Sequence, residues 1–196
     1  PSSANPLISA DELEQTKFEI GPRRFVVEHL AHFIETEGVF WPHGYFRGIE
    51  SDYWPEQFQA QVIAVDPALG QSKAAVRADK TRGSSLDYWA VVWIGFAEGL
   101  YWIDAVLKKS PPTDMIETAL GMWAKTGQAM MVVEGNQFQQ LLRPLMEAEG
   151  ERQGLPPVPI HLVTNTVKKE IRVQRLDPYL AQRKIKVRNT VGCKTL

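Results

Sequence analysis

Gln61-Val62-Ile63-Ala64-Val65-Asp66-Pro67-Ala68-Leu69-Gly70 is a short apolar run that ends in a carboxylate and stops at a breaker. About seventy residues on, Met130-Met131-Val132-Val133-Glu134-Gly135-Asn136 repeats the design. In an α/β sheet, parallel strands deliver their last residues to one edge, and ligands bind at that edge. Two acids brought there from separate strands, Asp66 and Glu134, can share divalent metal, because carboxylates are hard oxygen ligands suited to Mg²⁺ or Mn²⁺. A metal pair ~3.5–4 Å apart activates water and stabilises the leaving oxygen in phosphodiester hydrolysis. Taken singly, an acid at a strand end meets solvent or caps the next helix, and Glu134-Gly135-Asn136 is able to do the latter. The functional reading rests on the pair.

Outward from these runs the pattern is regular. Strand 61–66 is followed by a loop of roughly twenty residues, well above the usual ~4–6. Residues 88–96 are bulky and apolar on both faces, as in a central buried strand. Ala97-Glu98-Gly99 makes a tight turn into strand 100–107, which predicts a hairpin. Pro111-Pro112-Thr113-Asp114 starts a helix to about residue 125, before strand 129–133. A helix over 138–149, a short strand over 158–163, a helix over 168–182 and a last edge strand over 184–187 complete the chain. The order β-β-β-α-β-α-β-α that precedes this edge strand predicts a mixed five-stranded α/β sheet, an antiparallel meander joined to parallel right-handed crossovers and flanked by helices. The two acid-tipped strands then lie side by side and parallel. Asp87 opens the antiparallel neighbour, so it starts beside the end of strand 61–66 and is a third candidate ligand. A polar residue leading a strand is the equal alternative.

Residues 1–60 read differently. Ser9-Ala10-Asp11-Glu12 starts a helix with acids in its first turn, where the dipole favours them. Gly21-Pro22 breaks it, and an amphipathic pattern resumes over 23–37. Residues 40–58 are aromatic and punctuated by Pro and Gly. We read 1–60 as a helical connector from an upstream domain and 61–196 as the functional domain.

The 196 residues and 22.1 kDa suit one domain with an appendage. No apolar stretch approaches the ~18 residues needed to span a bilayer, and no signal peptide opens the chain. The single cysteine, Cys193, excludes an internal disulfide and a Cys-based zinc site, and it fits a reducing compartment such as the cytoplasm. The chain opens on Pro1 rather than methionine, as a piece of something longer would.

A net charge of −1 conceals an asymmetry. Residues 1–60 carry ten acids against four bases, whereas 168–196 carry nine bases against Glu170 and Asp177 alone. A further basic group, Lys73, Arg77, Lys80 and Arg82, lies in the long loop. Local clusters matter more than the total for polyanions, because screening sets in beyond ~8–10 Å. Lys168, Lys169 and Arg172 join the loop cations as candidate phosphate contacts. Each cluster alone reads equally well as a solvated face; two of them, one beside paired acids, favour a phosphate partner.

Other motifs carry less. His29 and His32 form His-x-x-His on a helix, a spacing that without a further ligand is incidental. Asp104 sits mid-strand, towards the opposite end of the sheet, and is expected at the surface. Gly192-Cys193-Lys194-Thr195 lacks the adjacent Gly-Lys and the earlier glycine of a phosphate loop, so it marks no ATPase site. Ser84 and Ser85 have no histidine near them in sequence to complete a triad. Trp89, Trp93, Trp102 and Trp123 read as core, while Trp41 and Trp54 remain open between core and base-stacking roles.

Several motifs together resemble a known family. Ile63-Ala64-Val65-Asp66-Pro67-Ala68, Ser85-Leu86-Asp87-Tyr88 and Gly99-Leu100-Tyr101-Trp102-Ile103-Asp104 resemble the nuclease domain of phage terminase large subunits. So do Val132-Val133-Glu134-Gly135-Asn136-Gln137-Phe138 and the Lys/Arg-rich tract from Lys169 to Leu180, all in the family's order. The likeness covers about residues 61–190, and the tract from Tyr45 to Gln59 resembles the segment joining motor to nuclease. It implies an RNase H-like fold and a metal-dependent endonuclease that cuts concatemeric double-stranded DNA during packaging. Asp66 and Glu134 would be its catalytic metal-binding acids, Asp87 an accessory one, and Mg²⁺ or Mn²⁺ (two ions) the cofactor. The implied partners are an ATPase domain, a small terminase subunit and a portal protein, in the host cytoplasm. A further aspartate of the family lies beyond the position of Leu196, so the domain reads as truncated at its C-terminus and weak or inert alone. Two other readings stand beside this one: another RNase H-like nuclease, such as a junction resolvase or transposase core, and a non-catalytic DNA-binding or docking module.

Overall fold

The structure is a computed structural model that describes residues 9–30, 41–67, 88–127, 129–134, 139–164 and 166–193. Its chain divides into two compact units. One comprises 1–50 with 166–186, the other 51–165 with 187–196.

The larger unit is built on strands β2 (Ala60–Asp66), β3 (Trp89–Ala97), β4 (Leu100–Lys108), β5 (Met130–Glu134) and β6 (Ile160–Val163). Two further strands, β1 (Glu50–Ser51) and β7 (Ile185–Arg188), lie across the division between the units. Among the described residues the sheet therefore has seven strands, in the order β1-β7-β4-β3-β2-β5-β6, rather than five. β7 is not the edge strand expected, because the two-residue β1 lies outside it. Two residues show no alternation of polarity, so β1 was invisible in the sequence.

The meander and the crossovers are as expected. β2 pairs antiparallel with β3, and β3 with β4. β2 and β5 are parallel, as are β5 and β6. The β3–β4 hairpin closes on Glu98 and Gly99, with φ of 57° and 73°, the left-handed pair that a two-residue turn requires if the strands are to keep their twist.

Helix Pro112–Thr126 ends at Gly127, whose φ of 70° suits a left-handed cap. It covers one face of the sheet together with helix Gln139–Arg152. Ile63, Val65, Trp89, Val91, Trp93, Met131, Val133 and Ile160 from the strands close a single core with Met115, Leu120, Trp123, Leu142 and Met146 from these helices. Along β3, positions facing this core are buried and the alternate positions half-exposed. Trp54 and Phe58, N-terminal to β2, extend the core by packing against Trp93, the first edge-to-face and the second tilted. Trp54 thereby joins Trp89, Trp93, Trp102 and Trp123 as a packing residue.

In the smaller unit, helix Ala10–Ile20 begins on Ser9. The Ser9 hydroxyl accepts from Glu12 N–H while Glu12 reaches back to Ser9 N–H. Pro22 starts the next helix, Pro22–His29. The single helix expected over 168–182 is two, Lys169–Gln174 and Asp177–Ala181. The cause is Pro178, which has no N–H to donate and whose ring would strike the Gln174 carbonyl. Helix Asp177–Ala181 packs on both N-terminal helices, and Gln182 Nε2 donates to the Phe18 carbonyl at 2.8 Å. Among the described residues, no helix is long and apolar enough to cross a membrane.

Candidate active site

Register decides where the candidate acids stand. β2 and β5 pair Val62 with Met130 and, in step, Val65 with Val133. One further step sets Asp66 opposite Glu134, at the last residue of each strand. Neighbouring strands lie ~4.8 Å apart and paired residues share a face, so the two side chains leave the same face side by side. Asp66 is also opposite Ala90 of β3, Ala90 is opposite Leu107 of β4, and Glu134 is opposite Val163 of β6. One row of side chains thus crosses the sheet edge: Leu107, Ala90, Asp66, Glu134, Val163. Apolar neighbours flank the two acids on each side.

Asp66 is exposed and Glu134 half-buried. Two carboxylates ~5 Å apart repel by about 1–3 kcal/mol at effective dielectrics between those of water and a protein surface. Like charges directly opposite each other in a sheet are destabilising. A divalent cation between them would convert that repulsion into attraction, so the donor set suits a hard cation. Among the described residues no cluster of three or more His, Cys, Asp or Glu side chains converges as a ligand set.

The other expected site residues fall as follows. Asp87 and the loop cations Lys73, Arg77, Lys80 and Arg82 lie outside the described residues. Lys168 is exposed at the start of helix Lys169–Gln174, Arg172 is half-buried in its last turn, and the Lys169 side chain lies outside the described atoms. All three belong to the smaller unit, whereas Asp66 and Glu134 belong to the larger. His29 stacks on Phe25 with ring centroids 4.9 Å apart, a packing role.

Asp104 is not a surface residue. It is 8 % exposed, opposite Trp93 in the middle of β4. Its carboxylate accepts from Arg188 Nη1 at 3.0 Å and from Thr190 Oγ1 at 3.2 Å. The turn that follows β7 folds back against β4 so closely that a side chain at Gly192 would collide with the Ala105 carbonyl. Strand alternation alone carries no sign of that return.

Two side chains at the carboxylate edge were not singled out by sequence. β4 runs parallel to β2, through two antiparallel pairings, and so ends at the same edge. Lys109 follows its last residue, and the Lys109 ammonium lies 4.6 Å from the centre of the exposed Tyr88 ring. The signal was available: a Lys108-Lys109 pair directly after a strand that the meander turns back toward the acids.

The seven-stranded mixed sheet with helices on it is an α/β fold of the RNase H-like class. Solved structures of this fold include the large terminase of a thermophilic bacteriophage. One crystal form of it matches with a TM-score of 0.60 at 11% identity over 98% of this chain, and a second with 0.62 at 10% over 98%. The same terminase in complex with ATP-γ-S matches with a TM-score of 0.60 at 10% identity over 97% of this chain. This chain spans 44% of the length of the first of these. At such identity the likeness establishes a terminase-like fold. No family model matches the sequence, and no curated protein matches it.

Proposed function

We propose that the larger unit is the nuclease core of a phage DNA-packaging terminase, a metal-dependent endonuclease that hydrolyses double-stranded, concatemeric DNA. The observation that carries this reading is the β2–β5 register, which sets Asp66 and Glu134 side by side at the sheet edge where α/β folds bind ligands. The terminase-like fold supports it, as does the order of motifs along residues 61–190. Asp66 and Glu134 would hold Mg²⁺ or Mn²⁺, with Asp87 as a supporting ligand. Two such ions supply an activated water and charge stabilisation at the departing oxygen. The chain's own residues fix the site: Val65 and Val133, both buried, lock the last turns of the pleat so that the acids cannot slip in register. Phosphate contacts dominate affinity for duplex DNA, and the cations of the β2–β3 loop and of 168–172 are their candidates. Residues 1–60 are proposed as the connector to an ATPase motor, with a small terminase subunit and a portal as partners in the host cytoplasm.

The test is Mn²⁺-dependent nicking of supercoiled plasmid by the full-length protein and by its Asp66→Ala and Glu134→Ala variants, with thermal melting alongside. Each variant should lose at least ~100-fold in nicking, the scale on which removing a group that stabilises transition-state charge acts. The parent should gain stability with Mn²⁺ by linkage, about 2.7 kcal/mol at a hundred times Kd, and neither variant should. A parent that neither nicks nor responds to Mn²⁺ overturns the reading, and so does undiminished nicking by either variant. Faster cutting of four-way junctions than of linear duplex would point instead to a resolvase.

A further inference from the structure

The edge that carries the two acids also carries a cation held in a fixed place. Lys109 stands one step beyond the Trp89–Lys108 pair that ends the β3–β4 ladder, which puts it opposite Tyr88. By strand alternation Tyr88 and Lys109 share the face of Ala90 and Leu107, hence that of Asp66 and Glu134. Two strand spacings separate β4 from β2 and three separate it from β5, so across the sheet Lys109 stands about 10 Å from the line of Asp66 and about 14 Å from that of Glu134.

The residues around Lys109 are anchored. Trp89, 1 % exposed, donates its indole N–H to both the carbonyl and the hydroxyl of Ser110, at 3.2 and 3.1 Å. Pro111, with φ of −55°, then leads into Pro112 at the first turn of the following helix. Lys109 therefore stands between the end of β4 and a segment that a buried tryptophan and two prolines pin at once. The Tyr88 ring beneath its ammonium restricts the flexible end as well. An exposed cation–π pair contributes only ~0.5–1 kcal/mol, little reason by itself to leave a tyrosine 63 % exposed beside a metal-binding edge.

We propose that Lys109 and Tyr88 grip the sugar–phosphate backbone of the DNA duplex on the β4 side of the two carboxylates. The Lys109 ammonium donates to a non-bridging oxygen of a phosphate neighbouring the scissile one, and the Tyr88 ring and hydroxyl lie against the adjoining sugar. This extends the nuclease reading and rests on it for the identity of the polyanion. It assigns a contact to the rigid sheet edge in addition to the loop and helix cations. A phosphate held there would fix where along the strand the acids act, so Lys109 is a positioning residue.

The experiment is fluorescence anisotropy of a labelled duplex of about 30 base pairs with Ca²⁺ in place of a catalytic metal, across a salt series, for the whole chain and for Lys109→Met, Lys109→Arg, Tyr88→Leu and Lys125→Met. Loss of one phosphate contact lowers the slope of log K against log salt by about 0.9, which between about 1 M and 0.1 M salt corresponds to roughly eightfold weaker binding. Lys109→Met should show that change with an unaltered melting temperature, Lys109→Arg should keep the parental slope, and Tyr88→Leu should weaken binding in the same direction. Lys125, in the last turn of helix Pro112–Thr126 and so at the other end of the sheet, supplies the control and should leave the slope unchanged. An unaltered slope in Lys109→Met overturns the proposal. So does an equal drop in Lys125→Met, which would mean generic charge, or absence of duplex binding by the parent. Because Ca²⁺ anisotropy does not depend on cutting, a failure here leaves the nicking result standing, and a failure to nick leaves this measurement readable.

Discussion

Replacing Asp104 with alanine should cost about 2–3 kcal/mol, a large share of the ~5–15 kcal/mol that holds a domain together. The carboxylate accepts from Arg188 at 3.0 Å and Thr190 at 3.2 Å, and from the N–H of Ala105 at 2.9 Å. A hydrogen bond with a charged partner contributes ~1.5–3 kcal/mol and a neutral one ~0.5–1.5. The Arg188 term must be discounted, because that side chain is 40% exposed and water can re-solvate it. Removing a nearly buried carboxylate also relieves some desolvation, which offsets part of the loss. Arg188 has a second contact, over the Trp54 ring at 5.1 Å, which Asp104→Ala leaves in place and Arg188→Met removes, so Arg188→Met should cost no less than Asp104→Ala. The assay is urea unfolding followed by tryptophan fluorescence, since Trp93 and Trp102 are buried in the same unit. With two compact units present, the loss must appear in the transition of the larger one. A double-mutant cycle should give at least ~0.5 kcal/mol of coupling between Asp104 and Arg188. A cost below ~1 kcal/mol for Asp104→Ala, less than one net hydrogen bond, or additivity in the cycle, would refute the claim that this pair ties the turn after β7 to the sheet.

Two further outcomes follow from the same region and from the aromatic end of the core. Burial is the main cause that pushes the Cys193 thiol above its ordinary range, with the hydrogen bond from Thr190 opposing it. Iodoacetamide should therefore modify Cys193 far more slowly in the folded chain than in urea at about pH 8, near the pKa of a free thiol, and equal rates would contradict the burial. The sign of the linkage follows: the unfolded thiol ionises first, so the contribution is complete below about pH 8.5 and is lost as pH rises above it. Gly95→Ala should cost about 1–3 kcal/mol in thermal or urea melts, because the new methyl would collide with the Phe58 ring that packs on Trp93. A neutral result would mean that this ring moves freely.

Much of the fold was legible because its signals are local or periodic. The apolar runs at 61–66, 88–96 and 129–133 end at breakers, and each became a strand of the sheet. The Glu98-Gly99 turn dictated the hairpin, and the hairpin together with two crossovers dictated which strands run parallel. The misses have separate causes. β1 is too short to show a period, Pro178 divides a helix whose composition suits one, and Asp104 owes its burial to residues 84 or more positions away. A contact made by chain return leaves no trace in the pattern of the strand that receives it.

That contrast explains why the acids could be placed from sequence and their surroundings could not. Asp66 and Glu134 each close a strand, so their position follows from two local facts, an apolar run and its last residue, joined by the parallel pairing that the topology requires. Lys109 depends on one more inference, that β4 returns to the same edge, and on Trp89 reaching across to Ser110, which no spacing announces. Repulsion between paired carboxylates is tolerated here because Val65 and Val133 beneath them are buried and fix the register against a slip that would turn every core residue outward. The energy that holds two anions together is thus stored in the apolar face of the strands, so weakening that face, at Val133 for instance, would blur the site before it touched either acid.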